Sequence, residues 1–206
     1  LWALRLPVVL YTGATAFLVG LLASKLAGDR RKGWLAALLY TGASATFQYG
    51  RPFLTNQPET FWLFLPVVLL LAFGELSWPV VVMCGLSLGI GALYKSFLLV
   101  VPVTAAFALI QWRRRGWDLI ATLRHDTGRL AAMAGIGLAL FALWFAFDPY
   151  PGTVLHDFVL RENVGKFEHG SYLAGVFTGH YNAITVIWLG DLVNYGLLAP
   201  AIAGLA

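Results

Sequence analysis

Residues 130–147 read LAAMAGIGLALFALWFAF, eighteen consecutive positions without a charged side chain. An α-helix needs ~17–25 apolar residues to cross a hydrocarbon core about 30 Å thick. The stretch just before it, WRRRGWDLIATLRHDTGR at Trp112–Arg129, carries Arg113, Arg114, Arg115, Arg124 and Arg129. An apolar run with arginine massed at one end is the pattern of a membrane span whose orientation is fixed by charge.

The same pattern repeats outward from this point. Six further apolar segments cover approximately 6–25, 34–50, 60–74, 79–94, 97–111 and 182–206. The chain is 59% hydrophobic and 12% charged, against about 25% charged in an ordinary soluble domain. A soluble helical protein shows a polar face on most helices, and few such faces occur here. The fold class is therefore an all-α, polytopic transmembrane bundle of about seven apolar segments, with 1–206 forming part of one transmembrane domain. The segments 60–74, 79–94 and 97–111 are short for full spans. The chain begins at Leu1 and ends at Ala206 inside an apolar run, so it reads as an internal part of a longer protein, with no cleavable signal peptide.

Charge distribution orients the chain. KLAGDRRKG, from Lys25 to Gly33, and the Trp112–Arg129 stretch together hold nine of the fourteen basic residues. Both fall on one side in a seven-segment count, and an excess of Lys and Arg marks the cytoplasmic side. Their ordinary role is topological, in contact with anionic lipid, and nothing in them resembles a nucleic-acid site. The opposite side receives the 50–59 turn, the turn at Tyr94, Lys95 and Ser96, and a long loop over 148–181. That loop is read as extracytoplasmic and functional, because long loops in compact domains usually are. Its apolar residues suit packing at a membrane surface.

Within the apolar segments, GLSLGIGAL from Gly85 to Leu93 places Gly85, Gly89 and Ala92 on roughly one face, which suits close helix packing. The single cysteine, Cys84, excludes an internal disulfide and reads as a small packing residue. Asp191, in IWLGDLVNYG, is an acid within an apolar segment and so a functional candidate.

Three polar clusters converge on the side opposite the arginines: RPFLTNQPETFW at Arg51–Trp62, ALYKSF at Ala92–Phe97, and the Arg161–Tyr172 stretch. Cations at a membrane interface with Tyr and Trp nearby suit the phosphate of a lipid-linked substrate. Taken singly, each is as well explained by a charge reaching up to the interface. A divalent metal is the weaker reading: His156 and His169, with Glu168 or Asp157, supply ligand types without tight ligand spacing. No nucleophile elbow, P-loop or dinucleotide fingerprint occurs.

The three clusters in this order resemble the membrane glycosyltransferases of the GT-C class, specifically the protein O-mannosyltransferase and 4-amino-4-deoxy-L-arabinose lipid A transferase relatives. The resemblance rests on Arg51 followed by TNQPETFW at Thr55–Trp62, on GLSLGIGALYKS ending in Lys95 and Ser96, and on ENVGKF at Glu162–Phe167 followed by His169 and Tyr172. It implies transfer of a sugar from a polyprenyl-phosphate donor to a lipid or protein acceptor on the extracytoplasmic face. The expected setting is a bacterial inner membrane, with membrane lipids but no nucleic acid as partners. It further implies donor-phosphate binding by Lys95, Arg161 and Lys166. Sugar or acceptor binding falls to Arg51, Asn56, Glu59, Glu162, Asn163, His169 and Tyr172. The family's general base lies in a first extracytoplasmic loop, which would precede Leu1; Glu59 is the nearby acid that could replace it. Asn56 stands where the family carries Asp, Ser96 where it carries Gly, and Lys166 where it carries Arg. No cofactor is firmly implied. Two other classes stay open on the residues alone, a secondary transporter using Asp191 and Lys95, and a non-catalytic assembly subunit docking through the long loop.

Overall fold

A computed structural model describes residues 2–43, 46, 55–94, 97–164, 191–193, 195–196 and 200. The described residues are helical with short connections and no strand. They divide into two compact units, Leu1–Gln57 with Gly152–Ala206, and Pro58–Pro151; each is taken by itself.

The first unit is built on a hairpin of α1 (Trp2–Ala27) and α2 (Arg30–Gly42). Apolar residues dominate α1, and the hydroxyls of Thr12 and Thr15 donate back to the carbonyls of Val8 and Tyr11, each at 2.8 Å. Hydroxyls bonded in this way carry little cost inside a span. Gly28 takes a left-handed φ of +67° to end α1, the geometry that glycine alone adopts without strain. Asp29 then caps α2 by accepting from the Arg31 amide at 2.8 Å. The helices meet at Gly20 and Gly33: a Cβ on Gly33 would overlap the Ser24 hydroxyl and lie 2.5 Å from the Gly20 carbonyl. Beyond Thr153 the chain winds into a wide, π-type helix, Val154–Val164, so the described part of the loop expected at 148–181 is helical from Pro151 to Val164. The last apolar segment is described only at Asp191–Val193, Tyr195, Gly196 and Pro200. There the Tyr195 hydroxyl donates to the Leu39 carbonyl of α2 at 3.1 Å.

The second unit packs α3 (Asn56–Phe73), α4 (Trp78–Tyr94), α5 (Val100–Arg114, entered through a 3-10 turn at Phe97–Leu99) and α6 (Leu119–Phe147); only Asn56 and Gln57 of α3 belong to the first unit. Pro66 lies inside α3, and a proline in a helix lacks the N–H that would bond the carbonyl four residues earlier. That carbonyl belongs to Trp62, and the Ser87 hydroxyl of α4 donates to it at 2.7 Å. The Cys84 thiol lies 3.6 Å from the Pro66 carbonyl in the same interface. Neighbouring helices repair a broken ladder in this way within a membrane. The pairing of residue 62 with 87 and of 66 with 84 makes α3 and α4 antiparallel.

The glycine face of α4 meets α6. A Cβ on Gly85 would sit 2.8 Å from the Ile136 Cβ, and one on Gly89 would sit 2.7 Å from the Leu140 Cβ. Gly137 returns the close approach from α6, 3.3 Å from the Gly85 carbonyl. Residue numbers rise together along both helices, so α4 and α6 run parallel, with α5 returning between them in sequence.

Among the described residues four helices are long and apolar enough to span a membrane: Arg5–Ala27, Asn56–Phe73, Phe97–Arg114 and Leu119–Phe147; Trp78–Tyr94 is a shorter apolar helix. Two of the three segments expected to be short are therefore full length, because their helices extend past the apolar residues. The same holds for α6. Its 29 residues reach about 44 Å at 1.5 Å per residue, beyond the hydrocarbon thickness. Residues 119–129, expected to lie in a loop, form its first turns, and the real connection is the four-residue turn at 115–118. Trp117 and Gly116 take left-handed φ angles of 66° and 65° in that turn. Asp118 then caps α6 by accepting from the Ala121 amide at 2.9 Å.

Candidate functional site

Connectivity sorts the charges of the second unit to its two ends. At one end lie the C-terminus of α5 and the N-terminus of α6. Here the Arg114 guanidinium donates to the Leu70 carbonyl near the end of α3, at 3.4 Å. Arg115 makes a two-point ion pair with Asp126, at 2.5 and 3.0 Å. The Asp126 side chain is 2% exposed and that of Arg115 33%. The buried carboxylate holds the guanidinium above its ordinary basicity by hydrogen bonding and charge. Trp112 and Trp117 close the turn edge to face, 4.9 Å between ring centres.

At the other end lie the first turn of α3, the last turn of α4 and the last turn of α6. Glu59 occupies the first turn of α3 and is only 6% exposed. A carboxylate there faces the positive end of the helix dipole. Pro58 precedes it, tolerated because first-turn amides have no partner within the helix. The last described residue of α4 is Tyr94, and Phe97 opens the 3-10 turn that leads into α5. Under this end sits an aromatic cluster in which Phe141 meets Phe97 at 5.2 Å, Trp144 at 5.9 Å and Phe145 at 5.5 Å. Asp148 follows, accepting from the Trp144 indole at 3.1 Å and from the Tyr150 amide at 2.8 Å.

The first unit holds a buried polar cluster that the sequence reading missed. Gln57, 5% exposed, accepts from the Tyr40 hydroxyl at 3.1 Å. Tyr40 also engages the hydroxyls of Thr15 and Thr46, which are 1% and 7% exposed. The available signal was polar side chains at membrane depth, with Gln57 between Asn56 and Glu59 in the motif itself. Asn56 is half-buried, and Arg161 is exposed on the π-type helix. On that helix His156 and Asp157 pair at 2.9 Å on an exposed surface.

Of the expected site residues, Asn56 and Glu59 thus share the first turn of α3. Arg161 stands on a separate helix with Glu162 and Asn163, whose side chains lie outside what is described. Arg51, Lys95, Lys166, His169 and Tyr172 lie outside the described residues, as do Ser96 and Glu168. Asp191 is half-buried, one turn from Tyr195. Among the described residues no three His, Cys, Asp or Glu side chains gather to hold a metal ion.

A family model described as dolichyl-phosphate-mannose-protein mannosyltransferase matches residues 1–145. No curated protein and no solved structure matches the chain. The matched region runs through all six helices α1–α6 to within two residues of the end of α6, and so includes the α3 turn that bears Asn56 and Glu59.

Proposed function

The chain belongs to the dolichyl-phosphate-mannose-protein mannosyltransferase family of membrane glycosyltransferases, and on that premise we propose that it moves a sugar from a polyprenyl-phosphate donor to a lipid or protein acceptor on the extracytoplasmic face. The observation that supports this is the opposition of charge in the second unit. Buried Glu59 stands at the end away from Arg113, Arg114 and Arg115. By the positive-inside rule the arginine end is cytoplasmic, which turns Glu59 and the Tyr94 end of α4 outward.

In this reading an acceptor oxygen attacks the anomeric carbon with inversion while the carbon–oxygen bond to the lipid phosphate breaks. The phosphate leaves with the bonding electrons, and a carboxylate takes the acceptor proton. Lys95, Arg161 and Lys166 stabilise the departing phosphate, where fixed cations in a water-poor setting act most strongly. Arg51, Asn56, Glu162, Asn163, His169 and Tyr172 hold sugar or acceptor. Glu59 orients that hydroxyl and is this sequence's candidate base. The part-buried Tyr40–Gln57 bond holds the start of α3, where Asn56 stands.

The test uses the full-length protein in proteoliposomes with a radiolabelled polyprenyl-phosphate sugar and membrane-extract acceptors. Wild type should transfer label without an ion gradient, and Lys95→Ala and Lys166→Ala should lose transfer while remaining folded. Normal transfer by both variants would refute the phosphate site. Failure of wild type with every polyprenyl-phosphate donor would refute the donor class.

A further inference from the structure

The close approach of Gly20 and Gly33 leaves large side chains standing on either side of the α1–α2 crossing. Phe17 and Leu21 of α1 form one wall of a cleft and Trp34 of α2 the other, with Ala37 beside the glycines on its floor. Its volume is about 340 Å³, within the ~300–1,000 Å³ of small-molecule sites. A second hollow of about 550 Å³ continues it past Ala16 and Gly13, sharing Phe17, Trp34 and Ala37. From Ser24 to Gly13 the run is about 16 Å at 1.5 Å per residue. The walls are open along it: Phe17 is 62% and Trp34 68% exposed.

The two ends of this run differ in chemistry. One is apolar. The other is closed by Ser24 and Arg30, at a turn where Lys25, Arg30, Arg31 and Lys32 outnumber the one acid, Asp29. The Asp29 carboxylate is already engaged by the Arg31 amide. An apolar cleft about 16 Å long that ends in guanidinium, with an indole in its wall, matches a ligand made of a hydrocarbon chain and an anionic head. We propose that the α1–α2 cleft binds an anionic phospholipid, one acyl chain lying between Phe17 and Trp34 and the phosphate held at Arg30. The proposal does not depend on the transfer reaction.

The experiment places full-length protein in proteoliposomes containing phosphatidylglycerol or phosphatidylcholine, each with a diazirine on one acyl chain, and maps labelled peptides after photolysis. Phosphatidylglycerol should label the peptides covering 13–24 and 33–41 about fivefold more than phosphatidylcholine, the contribution of one basic residue near an anionic head group. Arg30→Gln should abolish that preference and Arg30→Lys should keep most of it. Ala37→Leu, which fills the floor, should lower labelling by both lipids, and Arg113→Gln should change nothing. Equal labelling by the two lipids regardless of Arg30 would overturn the proposal in favour of ordinary boundary lipid. Absence of labelling from both peptides would overturn it in favour of a protein segment covering the cleft.

Discussion

Glu59 is buried in the first turn of a helix that begins with Asn56, Gln57 and Pro58, and its chemistry is tested by isosteric replacement. Glu59→Gln keeps shape and hydrogen bonding but removes the charge. If Glu59 takes the acceptor proton, transfer should fall by about 100-fold or more, with donor binding by filter assay unchanged. A fall of only a fewfold would make Glu59 a positioning residue. Tyr40→Phe removes the hydroxyl that donates to Gln57 at 3.1 Å and also engages Thr15 and Thr46, and bonds of this kind in membranes average about 0.6 kcal/mol each. It should therefore lower stability by about 1–2 kcal/mol, read as a small fall in melting temperature, while weakening transfer if the α3 start must be fixed. Asn56 and Glu59 were legible as a motif. Tyr40 and Gln57 were not, because nothing in linear order says that residues seventeen apart share a hydrogen bond.

Ser87 supplies the hydrogen bond that Pro66 denies to the Trp62 carbonyl. Ser87→Ala should cost about 1 kcal/mol, and that cost should shrink in a Pro66→Ala background, where the helix makes its own bond. Equal costs in both backgrounds, measured by thermal unfolding in detergent, would break this account. The α4–α6 interface makes a sharper contrast. Gly89→Leu drives a side chain into Leu140, and overpacking costs about 1–3 kcal/mol. A Cβ on Gly135 of α6 meets nothing within 4 Å, and Gly135→Leu should be close to neutral. The small residues of GLSLGIGAL announced a packing face. Which helix they pack against was not readable, since α6 lies some fifty residues on.

The charge-sorted ends of the second unit should face opposite sides of the membrane. The one native cysteine, Cys84, is 0% exposed, which leaves a quiet background for labelling. With a membrane-impermeant maleimide, Arg113→Cys should label only from the cytoplasmic side and Tyr150→Cys only from the outside. Labelling of both from one side would refute the orientation and the extracytoplasmic site with it.

Membrane residence, helical class and the clustering of basic residues were settled by composition and spacing, because a hydrocarbon solvent admits few solutions for so apolar a chain. The order of the motifs carried the family in the same way, since the α3 turn with Asn56 and Glu59 and the glycine face of α4 are local patterns. Tertiary structure alone decided what those patterns touch. It set the antiparallel pairing that lets Ser87 repair the break at Pro66, the parallel α4–α6 contact, and the tight turn that replaced an expected loop at 115–118. It buried Asp126 against Arg115 and opened a cleft between Phe17 and Trp34. Each of these joins side chains distant in sequence or depends on a backbone turn, and hydropathy records neither partners nor turns.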